Sequence, residues 1–162
     1  MNKAIFLDRD GIINNERGTY TFRIEDFSFV DGIIENLKRL QKAGFLLILI
    51  TNQGGIAKKV FSLSDFEKLN NYMISELMRE NIELTDIYFC PHHSDLEKCI
   101  CRKPDTLMLE KAIAYHNIDP EKSYFIGDKL SDIEAGEKVG ISGFLVKQNI
   151  NIKDVVDKII QT

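Results

Sequence analysis

Hydrophobic positions along the chain fall into two kinds of segment, and the two kinds alternate. Short apolar runs, partly β-branched and bounded by charged residues or Gly, predict strands at 4–7, 45–50, 87–90, 123–128 and 143–146, the fourth of which runs into an acidic turn. Segments with apolar residues at helical spacing predict helices at 31–44, 64–81, 107–116, in the stretch ending near 139, and at 155–160. This order predicts an α/β fold with a doubly wound, mainly parallel sheet.

Cap and turn residues predict where several of these helices begin and end. Asp31 is expected to cap the first helix, and Gly44 to end it. The stretch from Ser64 to Glu67 has the pattern of a capping box for the second helix. Pro104 suits the first turn of the helix that follows it.

Composition narrows the class of protein. The chain has 162 residues, 44% hydrophobic and 28% charged, with a net charge of -4 and no basic run, so nucleic acid is not expected as a partner. Three cysteines do not make a disulfide framework, and no apolar run reaches membrane-spanning length. The first residues leave no room for a secretory signal, so we expect a cytoplasmic protein without a membrane partner.

Two carboxylates, Asp8 and Asp10, directly follow the first predicted strand. Ligands of parallel sheets gather outside the carboxyl ends of the strands, so this position indicates a site for a cation or a phosphate. Because side chains alternate along a strand, we expect Asp8 and Asp10 to point one way and Arg9 the other. Other polar residues stand at strand ends or near helix starts: Thr51, Lys103, Asp128 and Asp132.

Together these residues resemble the four motifs of the haloacid dehalogenase superfamily of phosphotransfer enzymes. Those motifs are a D-x-D strand end, a Ser/Thr strand end, a Lys and an acidic G-D-x-x-x-D turn, and all four occur here in that order. The resemblance covers nearly the whole chain and implies a Rossmann-like core. No large insertion follows either of the first two predicted strands, so we expect a capless, monomeric enzyme in a single domain over 1–162.

The resemblance also implies a role for each matched residue in a two-step hydrolysis. Asp8 would be the nucleophile that forms an aspartyl-phosphate. Asp10 would protonate the leaving oxygen and then activate water for the second step. Thr51 and Lys103 would stabilise the transferred phosphoryl group.

A divalent cation is expected beside these residues. The oxygens of a phosphate monoester repel an anionic nucleophile, so catalysis needs positive charge around them. The resemblance implies Mg²⁺, a hard ion that takes oxygen ligands, held by Asp8, the backbone carbonyl of Asp10 and Asp128. Asp132 would orient this site from behind the ligands.

A second cluster of possible ligands is Cys90, His92, Cys99 and Cys101. Cys-x-His and Cys-x-Cys pairs joined by a short loop can supply the tetrahedron that structural Zn²⁺ prefers. A buried thiol with two surface thiols, or a redox-active Cys-x-Cys pair, are the alternatives. His92 is chosen over His93 because the family pattern matches Cys-Pro-His. Zinc would fix the loop that carries Arg102 and Lys103.

Five short strings, at 8–11, 51–53, 90–93, 101–104 and 127–129, look like the zinc-containing branch of heptose bisphosphate and histidinol phosphatases. The residues at 52–57, His93 and the residues at 128–130 are more similar to the heptose group. In that branch a small phosphorylated substrate, a sugar bisphosphate in the heptose group, would meet Glu16, Arg17, Gly18, Tyr20, Asn52, Arg102 and Lys129. An Arg can grip a second phosphate with its planar fork. Histidinol phosphate is the alternative substrate.

Two further readings come from other classes. Receiver domains also use Asp, Thr, Lys and Mg²⁺ on a parallel sheet, so a receiver-like or inactive phosphate-binding module is one of them. The spacing disfavours it, because Asp10 would have no task as an acid/base. A nucleic-acid 3′-phosphatase is the other, and the acidic net charge disfavours it.

Overall fold

A computed structural model describes residues 1–162. Five parallel strands form one sheet in the middle of the fold. The strands are β1 (Ala4–Leu7), β2 (Leu46–Asn52), β3 (Asp86–Cys90), β4 (Tyr124–Gly127) and β5 (Ser142–Leu145). Their order in the sheet is β3-β2-β1-β4-β5, so β1 lies between β2 and β4. The predicted doubly wound sheet is confirmed, and every strand pair is parallel.

Five helices connect and cover the strands. They are α1 (Ile33–Lys42), α2 (Leu63–Arg79), α3 (Leu107–Tyr115), α4 (Leu130–Lys138) and α5 (Lys153–Gln161). On one face of the sheet α1, α2 and α5 contribute Leu37, Met73 and Val156 to an apolar core. On the other face α3 and α4 contribute Met108 and Ala135 to a second core. Helices on both faces bury the sheet between them.

The strand β2 shows how one apolar run serves both cores. Leu47 and Leu49 belong to the first core, and Ile48 and Ile50 belong to the second. Successive side chains of a strand point to opposite faces, so a strand that is covered on both sides is apolar at every position. The continuous apolar run in the sequence is therefore the mark of an internal strand.

Three predicted helix boundaries are wrong. The capping box of α2 lies at Ser62 and Asp65, where the Ser62 Oγ accepts from the Asp65 N–H at 3.0 Å and the Asp65 carboxylate accepts from the Ser62 N–H at 2.9 Å. Ser64 with Glu67 has the same spacing, and the extended backbone at Ser62 decides between the two pairs. Gly32 stands at the start of α1 without a side-chain cap, so Asp31 does not cap it. Pro104 precedes the first turn of α3, which begins at Leu107.

The loops after the strands leave the carboxyl edge of the sheet open. Residues 8–32 after β1 contain only one short 3₁₀ helix (Ile24–Asp26), and residues 53–62 after β2 contain no further helix or strand. No cap domain is therefore inserted at these positions, as the capless prediction requires. No helix of the chain has the length and apolar character needed to cross a membrane.

Candidate active site

A pocket of about 430 Å³ opens at the carboxyl ends of β1, β2 and β4, and its lining is almost entirely polar. Most of the residues predicted for the catalytic and substrate sites line it, namely Asp8, Asp10, Glu16, Gly18, Tyr20, Asn52, Arg102, Lys103, Lys129 and Asp132. These residues come from segments far apart in sequence. The parallel sheet brings them together because it places all of its strand ends at one edge.

Lys103 links two buried carboxylates at the base of this pocket. Its Nζ lies 3.2 Å from Asp8 Oδ1 and 2.7 Å from Asp132 Oδ1, and it donates to the backbone carbonyl of Ile50 at 2.6 Å. Burial opposes the charge on Lys103, but the two carboxylates outweigh it and raise the pKa of this amine. Lys103 is therefore a fixed positive charge beside Asp8.

Asp8 belongs to a group of acids that repel one another. Burial raises the pKa of Asp8 to about 7, Lys103 opposes this shift, and Asp132, Asp10 and Asp128 add to it. Burial also raises the pKa of Asp128. One lysine does not balance these carboxylates, so the site favours an additional cation.

The donor atoms present fit a hard cation. Carboxylate oxygens of Asp8, Asp128 and Asp132 lie within 4.8 Å of one another. Asp128 Oδ1 is buried and has no hydrogen-bond partner, as expected of an oxygen that awaits a ligand. Gly11 has a φ of +90°, and a Cβ there would lie 2.8 Å from Asp128 Oδ2, so only Gly lets the loop approach this carboxylate so closely.

Asp132 is held at the start of α4. Besides its contact with Lys103, its Oδ2 accepts from the backbone N–H of Lys129 at 3.1 Å. The same side chain thus orients the lysine beside Asp8 and the first turn of the helix that follows β4.

The carboxylate of Asp10 accepts hydrogen bonds from three side chains. Arg9 Nη2 and Asn14 Nδ2 each donate to Oδ1 at 3.0 Å, and Gln53 Nε2 donates to Oδ2 at 3.1 Å. Burial would raise the pKa of Asp10, but the Arg9 charge and these hydrogen bonds outweigh it and lower that pKa. Asp10 is therefore a firmly oriented carboxylate.

The predicted direction of Arg9 is only partly right. Asp8 and Asp10 both line the pocket, as strand alternation predicts. Arg9 is 1% exposed, and its guanidinium comes back to Asp10 and donates to the Thr21 carbonyl at 2.9 Å. The strand ends at Leu7, so alternation no longer governs the residues that follow it.

Two polar residues end β2. Thr51 is fully buried, and its Oγ1 accepts from Gln53 Nε2 at 2.8 Å. Asn52 pairs with the backbone of Lys103, whose N–H donates to Asn52 Oδ1 at 3.0 Å and whose carbonyl accepts from Asn52 Nδ2 at 3.2 Å. Asn52 therefore holds the lysine segment in place as well as lining the pocket.

The loop after β1 forms one side of the pocket mouth. Glu16, Gly18 and Tyr20 line the pocket as predicted, whereas Arg17 does not. The Arg17 guanidinium lies 3.4 Å from an Asp26 carboxylate oxygen, outside the pocket. This ion pair turns Arg17 away from the place predicted for it.

The loop after β5 braces the loop after β1. Asn149, in the left-handed conformation with φ 62°, accepts from the Glu16 N–H at 2.6 Å and donates to the Glu16 carbonyl at 2.8 Å. The backbone N–H of Asn149 also donates to the Gly11 carbonyl at 2.8 Å. This connection gives the pocket mouth a fixed wall.

Six lining residues were not predicted as site residues, and they are Thr19, Thr21, Gln53, Gly54, His93 and Ser131. The chain carries a weak signal for them, because each stands within two positions of a predicted site residue. Arg102, which was predicted, lines the pocket and donates from Nη1 to the His92 carbonyl at 3.2 Å.

A second group of possible metal ligands lies after β3. The Sγ atoms of Cys90, Cys99 and Cys101 and the Nδ1 of His92 lie within 4.8 Å of one another, and His93 is not part of the group. Their separations are 3.6 Å for Cys90 to His92, 3.8 Å for Cys90 to Cys99, 3.3 Å for His92 to Cys101 and 2.9 Å for Cys101 to Cys90. A tetrahedron around zinc with bonds of about 2.3 Å has edges of about 3.8 Å, so the set approaches this geometry.

Thiol acidity within this cluster is uneven. Burial raises the pKa of the Cys90 thiol. At Cys99 the backbone N–H groups of Arg102 and Cys101 outweigh burial and lower the pKa to about 7. A cation among these sulfur atoms would favour thiolates, the form that binds metal.

Solved structures define the class of this protein. A had-like phosphatase of Mesorhizobium loti superposes with a TM-score of 0.87 at 26% identity, over 99% of this chain and 87% of the other. A D,D-heptose 1,7-bisphosphate phosphatase of B. bronchiseptica, complexed with magnesium and phosphate, superposes with a TM-score of 0.85 at 27% identity, over 96% of this chain and 86% of the other. The family model described as "HAD-hyrolase-like" matches residues 100–161.

Curated relatives narrow this class. The D-glycero-beta-D-manno-heptose-1,7-bisphosphate 7-phosphatase of Haemophilus influenzae is 44% identical over 94% of this chain and 83% of its own length. The D-glycero-alpha-D-manno-heptose-1,7-bisphosphate 7-phosphatase of Campylobacter jejuni is 45% identical over 94% of this chain and 86% of its own length. The chain belongs to the haloacid dehalogenase-like hydrolases, in the family of these phosphatases, and the predicted membership is confirmed.

Proposed function

We propose that this chain removes the 7-phosphate of D-glycero-D-manno-heptose 1,7-bisphosphate through an aspartyl-phosphate, as one phosphatase domain over 1–162. The observation that carries the proposal is the contact of buried Asp8 with Lys103, beside Asp128 and Asp132, at the base of a polar pocket. The names of the curated relatives supply the substrate.

In the first step Asp8 attacks phosphorus. A bond forms between a carboxylate oxygen of Asp8 and phosphorus, and the bond from phosphorus to the sugar oxygen breaks. Asp10 gives a proton to the leaving sugar oxygen. The pKa of Asp10 is lowered in the free protein, so Asp10 takes up this proton from solvent when the anionic substrate binds beside it and raises that pKa.

In the second step Asp10, now ionised again, takes a proton from water. The water oxygen attacks phosphorus, the bond to Asp8 breaks, and inorganic phosphate leaves with Asp8 restored. The Thr51 hydroxyl and the Lys103 ammonium stabilise the charge on the phosphoryl oxygens in both steps.

Two metal ions complete the proposal. Asp8, the backbone carbonyl of Asp10 and Asp128 hold Mg²⁺, with Asp132 behind them, and the ion supplies positive charge to the phosphoryl oxygens. Zn²⁺ occupies the Cys90, His92, Cys99 and Cys101 cluster and has a structural role. Cys101 is followed directly by Arg102 and Lys103, so fixing this loop also fixes two side chains of the pocket.

The pocket walls suit a sugar with a second phosphate. Arg102 and Lys129 bring two positive charges to the pocket lining, where they meet the 1-phosphate. Glu16, Gly18 and Tyr20 face the sugar from the other side. Arg17 acts indirectly, by tying the loop after β1 to Asp26. The protein acts in the cytoplasm as a monomer, without a nucleic-acid or membrane partner.

The test is phosphate release from both anomers of heptose 1,7-bisphosphate and from histidinol phosphate, compared by kcat/KM. We expect one heptose anomer to exceed histidinol phosphate by at least about 100-fold, because a ligand without a second phosphate leaves Arg102 and Lys129 unpaired. The Arg102→Met variant should lose most of this preference while it keeps activity on p-nitrophenyl phosphate. A higher kcat/KM for histidinol phosphate would reassign the substrate, and stable phosphorylation of Asp8 without phosphate release would favour the receiver-like reading.

A further inference from the structure

Gln53 is a buried amide that joins two predicted catalytic residues from different strands. It is 2% exposed, and its Nε2 lies 3.1 Å from Asp10 Oδ2 and 2.8 Å from Thr51 Oγ1. Asp10 follows β1, and Thr51 stands near the end of β2. The backbone N–H of Gln53 donates to the Cys90 carbonyl at 2.8 Å, which anchors the residue to β3.

The hydrogen-bond roles in this arrangement follow from the chemistry of the groups. An ionised carboxylate only accepts, so the atom of Gln53 that faces Asp10 must be the amide nitrogen. An amide nitrogen has two hydrogens, and here one goes to Asp10 and the other to Thr51. Gln53 therefore has no N–H left for a substrate, although it lines the pocket.

The direction of the Thr51 hydroxyl follows from the same bond. Its oxygen accepts from Gln53 Nε2 at 2.8 Å, and no hydrogen bond donated by this hydroxyl is found within the protein. A hydroxyl has one hydrogen to donate, and an N–H on one side of its oxygen turns that hydrogen to the other side. Thr51 is fully buried and the neighbouring Asn52 and Gln53 line the pocket, so this hydrogen is available to a phosphoryl oxygen that reaches the base of the pocket.

We propose that Gln53 is a positioning residue that aims the Thr51 hydroxyl at the phosphoryl group and holds the Asp10 carboxylate beside the leaving oxygen. This inference rests on the proposed phosphatase mechanism. Gln53 contributes through the alignment of two other groups, so its removal acts on the transition state more than on substrate binding.

The main experiment is the Gln53→Met variant, which keeps the length of the side chain and removes both N–H donors. With heptose 1,7-bisphosphate we expect kcat to fall about 10- to 100-fold and KM to change less than about threefold, because misaligned groups impair the chemical step. The Asn36→Leu variant is the matched control. Asn36 is also a 2% exposed amide, its Nδ2 donates to Asn151 Oδ1 at 2.8 Å, and neither residue lines the pocket. This control should lower Tm and leave kcat and KM unchanged.

A double-mutant cycle tests whether Gln53 acts through Thr51. Relative to the wild type, the kcat of the Gln53→Met, Thr51→Val double variant should be higher than the product of the relative kcat values of the two single variants. Once the hydroxyl is removed, Gln53 has one group fewer to orient. Losses that multiply fully, an unchanged kcat in Gln53→Met, or a change in KM alone would each overturn the role. If Gln53→Met does not fold, Gln53→Glu keeps the shape and sets an acceptor against Asp10, and wild-type kcat in that variant would also overturn it.

The measurements separate this role from the proposed function. Wild-type protein that hydrolyses neither heptose 1,7-bisphosphate nor p-nitrophenyl phosphate would refute the phosphatase mechanism and the role of Gln53 with it. An active wild type whose kcat on both substrates survives in Gln53→Met would refute the role of Gln53 alone.

Discussion

Two groups of possible metal ligands lie at the same edge of the sheet, and they differ in chemistry and in burial. The acidic group offers hard oxygens from Asp8 after β1, Asp128 after β4 and Asp132 in the first turn of α4, and both of these strands are internal to the sheet. The Cys/His group offers three sulfurs and one nitrogen after β3, an edge strand. Of its members only Cys90 is buried, and the other three are partly exposed.

The difference teaches which of the two groups can carry a reaction. Four protein ligands complete a tetrahedron and leave no position for a substrate, which is the form of structural zinc sites. The acidic group has too few ligands to enclose Mg²⁺ and opens into the pocket, so positions remain for water and phosphate. The two groups are coupled because Cys101 and Lys103 are two residues apart in the chain.

The largest expected effect comes from Asp8→Asn, which breaks the reactive group alone. Turnover should fall at least about 10³-fold, because the amide is a poor nucleophile and cannot form the aspartyl-phosphate. Zinc content by elemental analysis should stay as in the wild type, and the circular dichroism spectrum should be unchanged. Activity near that of the wild type would exclude Asp8 as the nucleophile.

The next largest effect is expected when metal ions are removed, which tests the two groups of ligands separately. Dialysis against EDTA should abolish activity by stripping Mg²⁺, and added Mg²⁺ should restore it, while about one zinc per chain remains bound. Zinc is held more tightly because its thiolate ligands are soft and enclose it. Protein made with ample zinc but containing none would contradict the structural zinc site.

A smaller loss of activity is expected when the Cys/His group is broken. Cys101→Ser should release zinc, lower Tm, and reduce kcat about tenfold by loosening the segment that carries Lys103. Glu97→Gln is the control, because Glu97 lies 4.0 Å from His92 on the same loop and is not a ligand. Loss of zinc with unchanged kcat would show that the two groups act independently.

The smallest effect concerns stability and pH in the metal-free acidic group. The folded-state pKa of Asp8 is raised to about 7, so the folded protein binds this proton more tightly than the unfolded chain does. Stability from this group is therefore complete at low pH and is lost as pH rises from the unfolded-state pKa towards 7. In EDTA, Asp8→Asn should raise Tm over the wild type more at about pH 8 than at about pH 5.

A surface carboxylate supplies the control for that measurement. Hydrogen bonds from Lys153 and Arg39 lower the pKa of Asp157, so it is ionised at both of these pH values. The change in Tm caused by Asp157→Asn should then be the same at both. An equal shift for Asp8→Asn at the two pH values would contradict the raised pKa of Asp8.

Three residues that sequence analysis expected at the carboxyl edge of the sheet share one property, which is that each is tied to a strand. Asp8, Thr51 and Asp128 follow or end strands whose apolar runs are plain in the sequence, so the sheet determines where they lie. The elements themselves were predictable for the same reason, because packing on both faces of the sheet requires the apolar pattern.

The residues that it misplaced or missed depend on contacts between distant side chains. Arg17 turns to Asp26, Arg9 returns to Asp10, and Gln53 spans two strands, and no local periodicity encodes these directions. The capping box of α2 failed for a related reason, since two overlapping serine and acid pairs carry the same spacing. Loop geometry in this protein is decided by tertiary partners.

The position of β1 in the middle of the sheet has a consequence for synthesis on the ribosome. Asp8, the proposed nucleophile, is made before β4 with Asp128 and before the brace at Asn149. A nascent chain that ends before residue 124 leaves one edge of β1 without its partner strand. Such an exposed edge can pair with other chains, so the growing protein carries the Asp8 carboxylate beside an unpaired strand edge until β4 has been made.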